Sequence, residues 1–223
     1  MTPIRAVLFD WGDTLFFSPR AQDVILEAGR EHGITIAPAI AAQLWDRLWA
    51  AGKTPEEHAK GRDLSAAAHR TVWTSLFATA DELVPGLSGA LYERVMHPST
   101  WRPYPDAAWV LRELHARGIK TGIVSNIAFD IRPLFAANGL DSLVDAYALS
   151  FERGATKPAP ALFTAACRDL DVGPAETLMV GDDPVTDGGA AAAGLRVHLL
   201  ATSGGDGPRG FQPVLDLVDA TGS

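Results

Sequence analysis

The chain has 223 residues, 47% of them hydrophobic and 21% charged, with a formal net charge of −8. That length holds either one large core or a core with an insert, and the composition is ordinary for a soluble globular protein. No basic patch stands out, which argues against nucleic acid as the main partner. No apolar run reaches the ~18 residues of a membrane span and no basic-then-apolar leader opens the chain, so a cytoplasmic location without membrane attachment is expected. The single cysteine, Cys167, excludes a disulfide within one chain. It lies on an apolar helix face and reads as a core residue rather than a nucleophile.

In chain order, residues 4–10 read as a buried strand whose apolar run, Ala6 to Phe9, stops at Asp10. Residues 19–99 then change character: Ala, Leu, Trp, Glu and Arg dominate and β-branched runs disappear. Helix-like spacing marks segments 21–32, 38–51, 55–60, 64–79 and 87–96, with Leu44/Leu48 and Trp45/Trp49 recurring at i and i+4. Pro38, Pro55 and Pro85 punctuate them as prolines do at helix starts. The block is too long for a simple βα connection. It predicts an inserted helical domain at 19–99, leaving 1–18 and 100–223 as an α/β core. Trp45, Trp49, Trp73 and Phe77 are expected in the insert's own core. Arg20, Arg47, Lys53, His58 and Arg62 are either anion contacts or solvated helix charges.

The core resumes at Pro103-Tyr104-Pro105-Asp106, read as a turn and helix cap, and a helix to about Arg117 is closed by Gly118. Strands follow at 120–125, 146–150, 177–181 and 196–200. They alternate with helices at 131–138, 159–170 and 188–193, and a short final helix is expected at 214–218. The stretch at 203–208 reads as a flexible loop. Alternation of this kind implies right-handed βαβ units and a Rossmann-like parallel sheet.

Three later segments sharpen the meaning of Asp10-Trp11-Gly12-Asp13-Thr14. Lys120-Thr121-Gly122-Ile123-Val124-Ser125-Asn126 is an apolar run ending in a hydroxyl and an amide. Thr156-Lys157-Pro158 sets a lysine where a helix begins. Leu178-Met179-Val180-Gly181-Asp182-Asp183 ends in clustered acids, with Asp187 beyond them. Each has a local explanation in turns, helix caps or a solvated lysine. Together they set acids, a hydroxyl and a lysine at the carboxyl ends of parallel strands, where open α/β folds bind ligands.

In order and spacing these segments resemble the haloacid dehalogenase superfamily, whose members are mostly Mg-dependent phosphohydrolases. The family pattern is Asp-x-Asp-Gly-Thr at the first strand, Ser or Thr at the second, Lys before a helix, and Gly-Asp with a further Asp at the fourth. The matching residues are Asp10, Ser125, Lys157, and Asp182 with Asp187, and the small-residue tail from Gly188 to Gly194 also fits. The resemblance implies a strand order of 3-2-1-4-5 and a helical cap after strand one. It departs at one place: the family's second aspartate falls on Gly12, and an acid appears one residue later, at Asp13.

What the resemblance implies chemically is an aspartyl-phosphate formed on Asp10, with Asp13 as the candidate acid and base. Thr14, Ser125, Asn126 and Lys157 would bind phosphate, with Ser125 and Lys157 part of the catalytic set. Mg²⁺ would sit on Asp10, Asp182 and the Gly12 carbonyl, with Asp183 or Asp187 as a further ligand or behind the ligands. A small phosphorylated metabolite is the expected substrate of a monomer or homodimer. Gly12 keeps two other readings open. One is a 2-haloacid dehalogenase, a branch that also lacks the second acid and uses no metal; the other is a non-catalytic protein of the same fold.

Overall fold

The computed structural model describes residues 2–18, 21–52, 54–96, 100–201 and 206–222. Arg20 and Lys53, named above as possible anion contacts, lie outside these residues, as does half of the loop at 203–208. The chain divides into two compact units, Met1–Phe17 with Pro103–Ser223, and Ser18–Arg102.

The first unit is built on a five-stranded sheet. The strands of the chain are β1 (Ala6–Phe9), β2 (Phe16–Phe17), β3 (Arg102–Pro103), β4 (Lys120–Ser125), β5 (Ala146–Leu149), β6 (Thr177–Gly181) and β7 (Arg196–Leu199). The sheet runs β5-β4-β1-β6-β7 with every pair parallel. Counting its strands one to five along the chain, this is the 3-2-1-4-5 order expected. β1 is central because it is apolar on both faces: Ala6, Val7, Leu8 and Phe9 are all fully buried. Each large side chain buried there contributes about 1.5–3 kcal/mol. The two-residue strands β2 and β3 pair separately. They lie where the chain leaves the first unit and returns to it.

The second unit contributes helices α1 (Ala21–Glu31), α2 (Pro38–Gly52), α3 (Pro55–Ala59), α4 (Ala66–Phe77) and α5 (Ser88–Met96). Pro38 and Pro55 open helices as the sequence indicates. Thr54 and Ser65 cap α3 and α4 by accepting from the amides of Glu57 and Ala68. The apolar core gathers Ile25, Leu44, Leu87 and Leu91, with Trp73 and Phe77 buried beside them. Trp45 and Trp49 are half-buried and stack with centroids 5.0 Å apart, and Trp49 stacks on Trp73 at 6.1 Å. Two candidate anion contacts have partners inside this unit. Arg47 donates to the Thr79 carbonyl and to Glu82. Arg62 is buried, donates to the Gly52 carbonyl and lies over the Trp73 ring.

In the first unit the remaining helices are α6 (Ala107–Ala116), α7 (Arg132–Ala137), α8 (Ser150–Arg153), α9 (Pro160–Asp169) and α10 (Gln212–Gly222). α9 lays Leu162, Phe163, Ala166 and Cys167 against Ala6, Leu8, Val124 and Met179. Cys167 is therefore a core residue, and burial raises its thiol pKa. The segment Gly188–Ala193 is a 3₁₀ helix, and the final helix is longer than the sequence indicates. Asp106 precedes α6 but makes no side-chain cap bond. Its carboxylate instead accepts from the amides of Arg209, Gly210 and Phe211.

Candidate active site

The register of the sheet delivers the site. Phe9 is level with Ile123 on one side and Val180 on the other. The next residue, Asp10, donates its amide to the Val180 carbonyl and so stands at the carboxyl edge between β4 and β6. Ser125 ends β4 and is buried, and Asp182 follows β6 directly.

Lys157 is the centre of this edge. Only 4% of it is exposed, and its Nζ lies 2.6 Å from Asp10 Oδ1 and 2.6 Å from Asp187 Oδ1. A buried ammonium is tolerable only with partners of this quality. Burial opposes its charge, but the fields of Asp10 and Asp187 outweigh it and raise the pKa. The residue is aimed by Asn126, whose side chain accepts from the Lys157 amide at 2.7 Å and donates to the Lys157 carbonyl at 3.0 Å. The Lys157–Pro158 peptide is cis.

Asp187 is held from the other side as well. Its Oδ2 accepts from the amides of Asp182 at 3.1 Å and Asp183 at 3.0 Å. It packs so closely on Gly181 that a Cβ there would lie 2.1 Å from Oδ2. Glycine at 181 is thus required by contact with Asp187. Asp10, Asp182 and Asp187 each offer an oxygen, all within 4.8 Å of one another. Thr14, fully buried, donates its hydroxyl to Asp182 Oδ1 at 3.3 Å.

Charge crowding shows in the carboxyl groups. Burial pushes Asp10 up to about 7; Lys157 pulls it down, while Asp187 and Asp182 push it further up. Asp182 is also raised, first by burial and then by the charge of Asp13. Asp183 behaves differently: burial would raise it, but bonds from the amides of Thr186 and Val185 win and lower it. Those bonds, 2.9 and 2.7 Å long, make Asp183 the cap of the following turn, outside the group of three.

Asp13 also lies outside that group of three. Its φ is +56°, in the left-handed region. That is the place of the glycine in the Asp-x-Asp-Gly-Thr pattern, so Asp and Gly are exchanged and the aspartate stands in a conformation that favours glycine. The carbonyl of Trp11 closes the loop by accepting from the amides of Leu15 and Phe16. Sequence reasoning missed Arg209, which is buried and donates from Nε to the Asp13 carbonyl at 2.8 Å. A lone arginine between a proline and a glycine, 196 positions from its partner, carries no local signal.

Acids and a lysine are gathered at the carboxyl edge of a parallel sheet, where open α/β folds bind ligands. Residues 4–194 match the haloacid dehalogenase-like hydrolase family, and the chain belongs to that family. It is 35% identical over 103 residues to a phosphatase of Mycobacterium tuberculosis, a match covering 45% of this chain and 48% of that protein. The chain spans about half the length of the first curated relatives it matches. A phosphoserine phosphatase of Thermus thermophilus is 29% identical over 220 residues, 86% of this chain and 87% of that one. The structure of L-2-haloacid dehalogenase from Xanthobacter autotrophicus superposes with a TM-score of 0.68 at 27% identity, covering 99% of this chain and 84% of that chain. Among the described residues no helix is long and apolar enough to cross a membrane.

Proposed function

We propose that the protein is a Mg²⁺-dependent phosphatase of a small phosphorylated metabolite, with Asp10 as nucleophile. The observation that carries this reading is the group of three carboxylates, Asp10, Asp182 and Asp187, around one buried lysine. An all-oxygen donor set suits a hard cation such as Mg²⁺. Both Asp187 oxygens already accept hydrogen bonds, so Asp10 and Asp182 would hold the ion, with Asp187 behind them. Bound there, Mg²⁺ supplies the positive charge that favours an ionised Asp10 and offsets the phosphate.

The chain's own residues supply the rest. Asp10 attacks phosphorus through a carboxylate oxygen, the P–O ester bond breaks, and the alcohol leaves with a proton. Water then hydrolyses the aspartyl-phosphate and releases inorganic phosphate. Lys157 adds positive charge beside the transferring group, with Ser125 at the neighbouring strand end to donate to its oxygens. Asn126 acts through Lys157, by holding its backbone. Asp13 is the acid available to protonate the leaving oxygen. The likeness to phosphatases of two bacteria supports the reading.

The dehalogenase likeness and the missing acid at Gly12 favour a second reading, attack of Asp10 on a carbon–halogen bond. That chemistry needs no three-carboxylate cluster. The deciding experiment measures phosphate release from a metabolite panel and para-nitrophenyl phosphate, with Mg²⁺ and with EDTA. Release that needs Mg²⁺ and vanishes in Asp10→Asn is expected. Chloride release from 2-chloropropionate with no phosphate release would overturn it.

A further inference from the structure

Arg209 is a buried charge without a carboxylate partner among the described residues. It is 8% exposed. Its Nε donates to the Asp13 carbonyl at 2.8 Å, and one terminal nitrogen donates to the Ala201 carbonyl. The other terminal nitrogen is buried without a hydrogen bond. The guanidinium carbon lies 5.7 Å from the centre of the Tyr104 ring. Burying a guanidinium on neutral carbonyls is costly, and an apolar residue would fill the same space without that cost.

The arginine is itself anchored. Its amide donates to Asp106 Oδ1 at 2.7 Å, and the next amide, Gly210, donates to Asp106 Oδ2 at 2.8 Å. Asp106 thereby fixes the backbone on which Arg209 stands, and Arg209 reaches across to the one peptide of the catalytic loop with a left-handed non-glycine residue. An L side chain adopts that conformation only when its surroundings impose it.

We infer that Arg209 is a positioning residue that imposes the left-handed turn on Asp13 and so fixes where its carboxylate stands, as the acid of a site with none at Gly12. The inference rests on the phosphatase reading for its catalytic half. The chemistry is indirect, because Arg209 touches a backbone carbonyl and no reacting atom.

The test compares Arg209→Gln and Arg209→Lys with wild type in two measurements. Amide exchange is read at Leu15 and Phe16, whose N–H groups close the loop on Trp11. Arg209→Gln should speed it by about 10-fold or more while the β1 amides stay protected. Turnover is read on an alkyl phosphate, which needs an acid at its leaving oxygen, against para-nitrophenyl phosphate, which needs it less. The alkyl substrate should lose about 10- to 100-fold, a part of what acid–base catalysis supplies, and the aryl substrate much less. Arg209→Lys should recover part of the loss. In an Asp13→Asn background, Arg209→Gln should add no further selective loss.

Unchanged exchange at Leu15 and Phe16 overturns the proposal whatever the activity. Equal losses on both substrates, or losses that add to those of Asp13→Asn, overturn the positioning role and leave a structural arginine. Failure of the phosphatase reading looks different: wild type releases no phosphate from either ester, or Asp10→Asn remains active, and the exchange measurement alone then decides whether Arg209 holds the loop.

Discussion

Replacing Lys157 by methionine probes how the cluster of acids is tolerated inside the protein. The side chain stays unbranched, is one atom shorter and loses its charge, leaving Asp10 and Asp187 without the ammonium 2.6 Å from each. Breaking a buried pair in this way costs about 3–5 kcal/mol. The pH dependence separates charge from packing. A carboxyl whose folded pKa is raised loses stability as pH climbs from its unfolded value to its folded one. In metal-free wild type that loss runs from 3.8 to about 7 for Asp10 and then levels. Without Lys157 the Asp10 carboxyl moves higher, so the variant keeps losing stability where wild type has stopped. Each retained proton corresponds to about 1.4 kcal/mol per pH unit. Between pH 7 and 8.5 the gap between the proteins should therefore widen by about 2 kcal/mol. The Lys157 pKa, raised above 10.5, contributes its full stability throughout this range and adds no slope. Urea unfolding in EDTA at pH 5.5, 7 and 8.5 reads the gap. A loss below about 1 kcal/mol, or a gap that does not change with pH, would refute the charge-compensation argument.

Gly181→Ala sets a Cβ against the Asp187 carboxylate. It should cost about 2–4 kcal/mol in urea unfolding, from overpacking and weakened bonds to Lys157 and the two amides; an unchanged midpoint would show that Asp187 is free to move aside. Asn126→Ala removes both bonds to the Lys157 backbone. It should lower kcat on phosphate esters by more than it raises KM, and the reverse split would place Asn126 in substrate binding instead. His69 is buried against Tyr92, with its pKa lowered to about 4, first by burial and then by Arg62. As pH falls from 6.5 to 4 the unfolded chain takes up a proton that the folded one refuses, so wild type should lose about 3 kcal/mol over that range. Titrated urea unfolding of His69→Phe should lack that component.

The parts of the fold written in apolar runs were legible before the structure: β1, β4, β5 and β6 each stop at or beside a polar residue, and those residues meet at one edge. The one-turn helix α8 and the two-residue strands β2 and β3 were not, because segments so short carry no periodicity. Asp10, Ser125, Lys157, Asp182 and Asp187 could be named because strand ends converge by topology. Asp183 could not be told from Asp182 in sequence, yet one caps a turn and the other joins the cluster. Asp106 looked like a helix cap and instead holds residues 209–211, a partnership set by tertiary contact over more than 100 positions. Arg209 was silent for the same reason.

The exchange of Asp and Gly at positions 12 and 13 lets stability and chemistry be set against each other. At φ +56° an aspartate tolerates what a glycine adopts freely, and its charge raises the neighbouring Asp182. Asp13→Gly should relieve both the backbone strain and the repulsion, offset by the greater freedom of glycine in the unfolded chain. A net gain of about 0.5–1 kcal/mol in urea unfolding is expected. The same change removes the only acid that the exchanged loop offers, so hydrolysis of alkyl phosphates should fall by about 10²-fold or more, with para-nitrophenyl phosphate affected less. More stability with less activity is the signature of a residue kept in a strained place for its chemistry. A destabilised Asp13→Gly protein would mean that the side chain contributes more to the fold than its conformation costs. Undiminished turnover on alkyl esters would remove Asp13 from the reaction, and with it the reason for a buried arginine at 209.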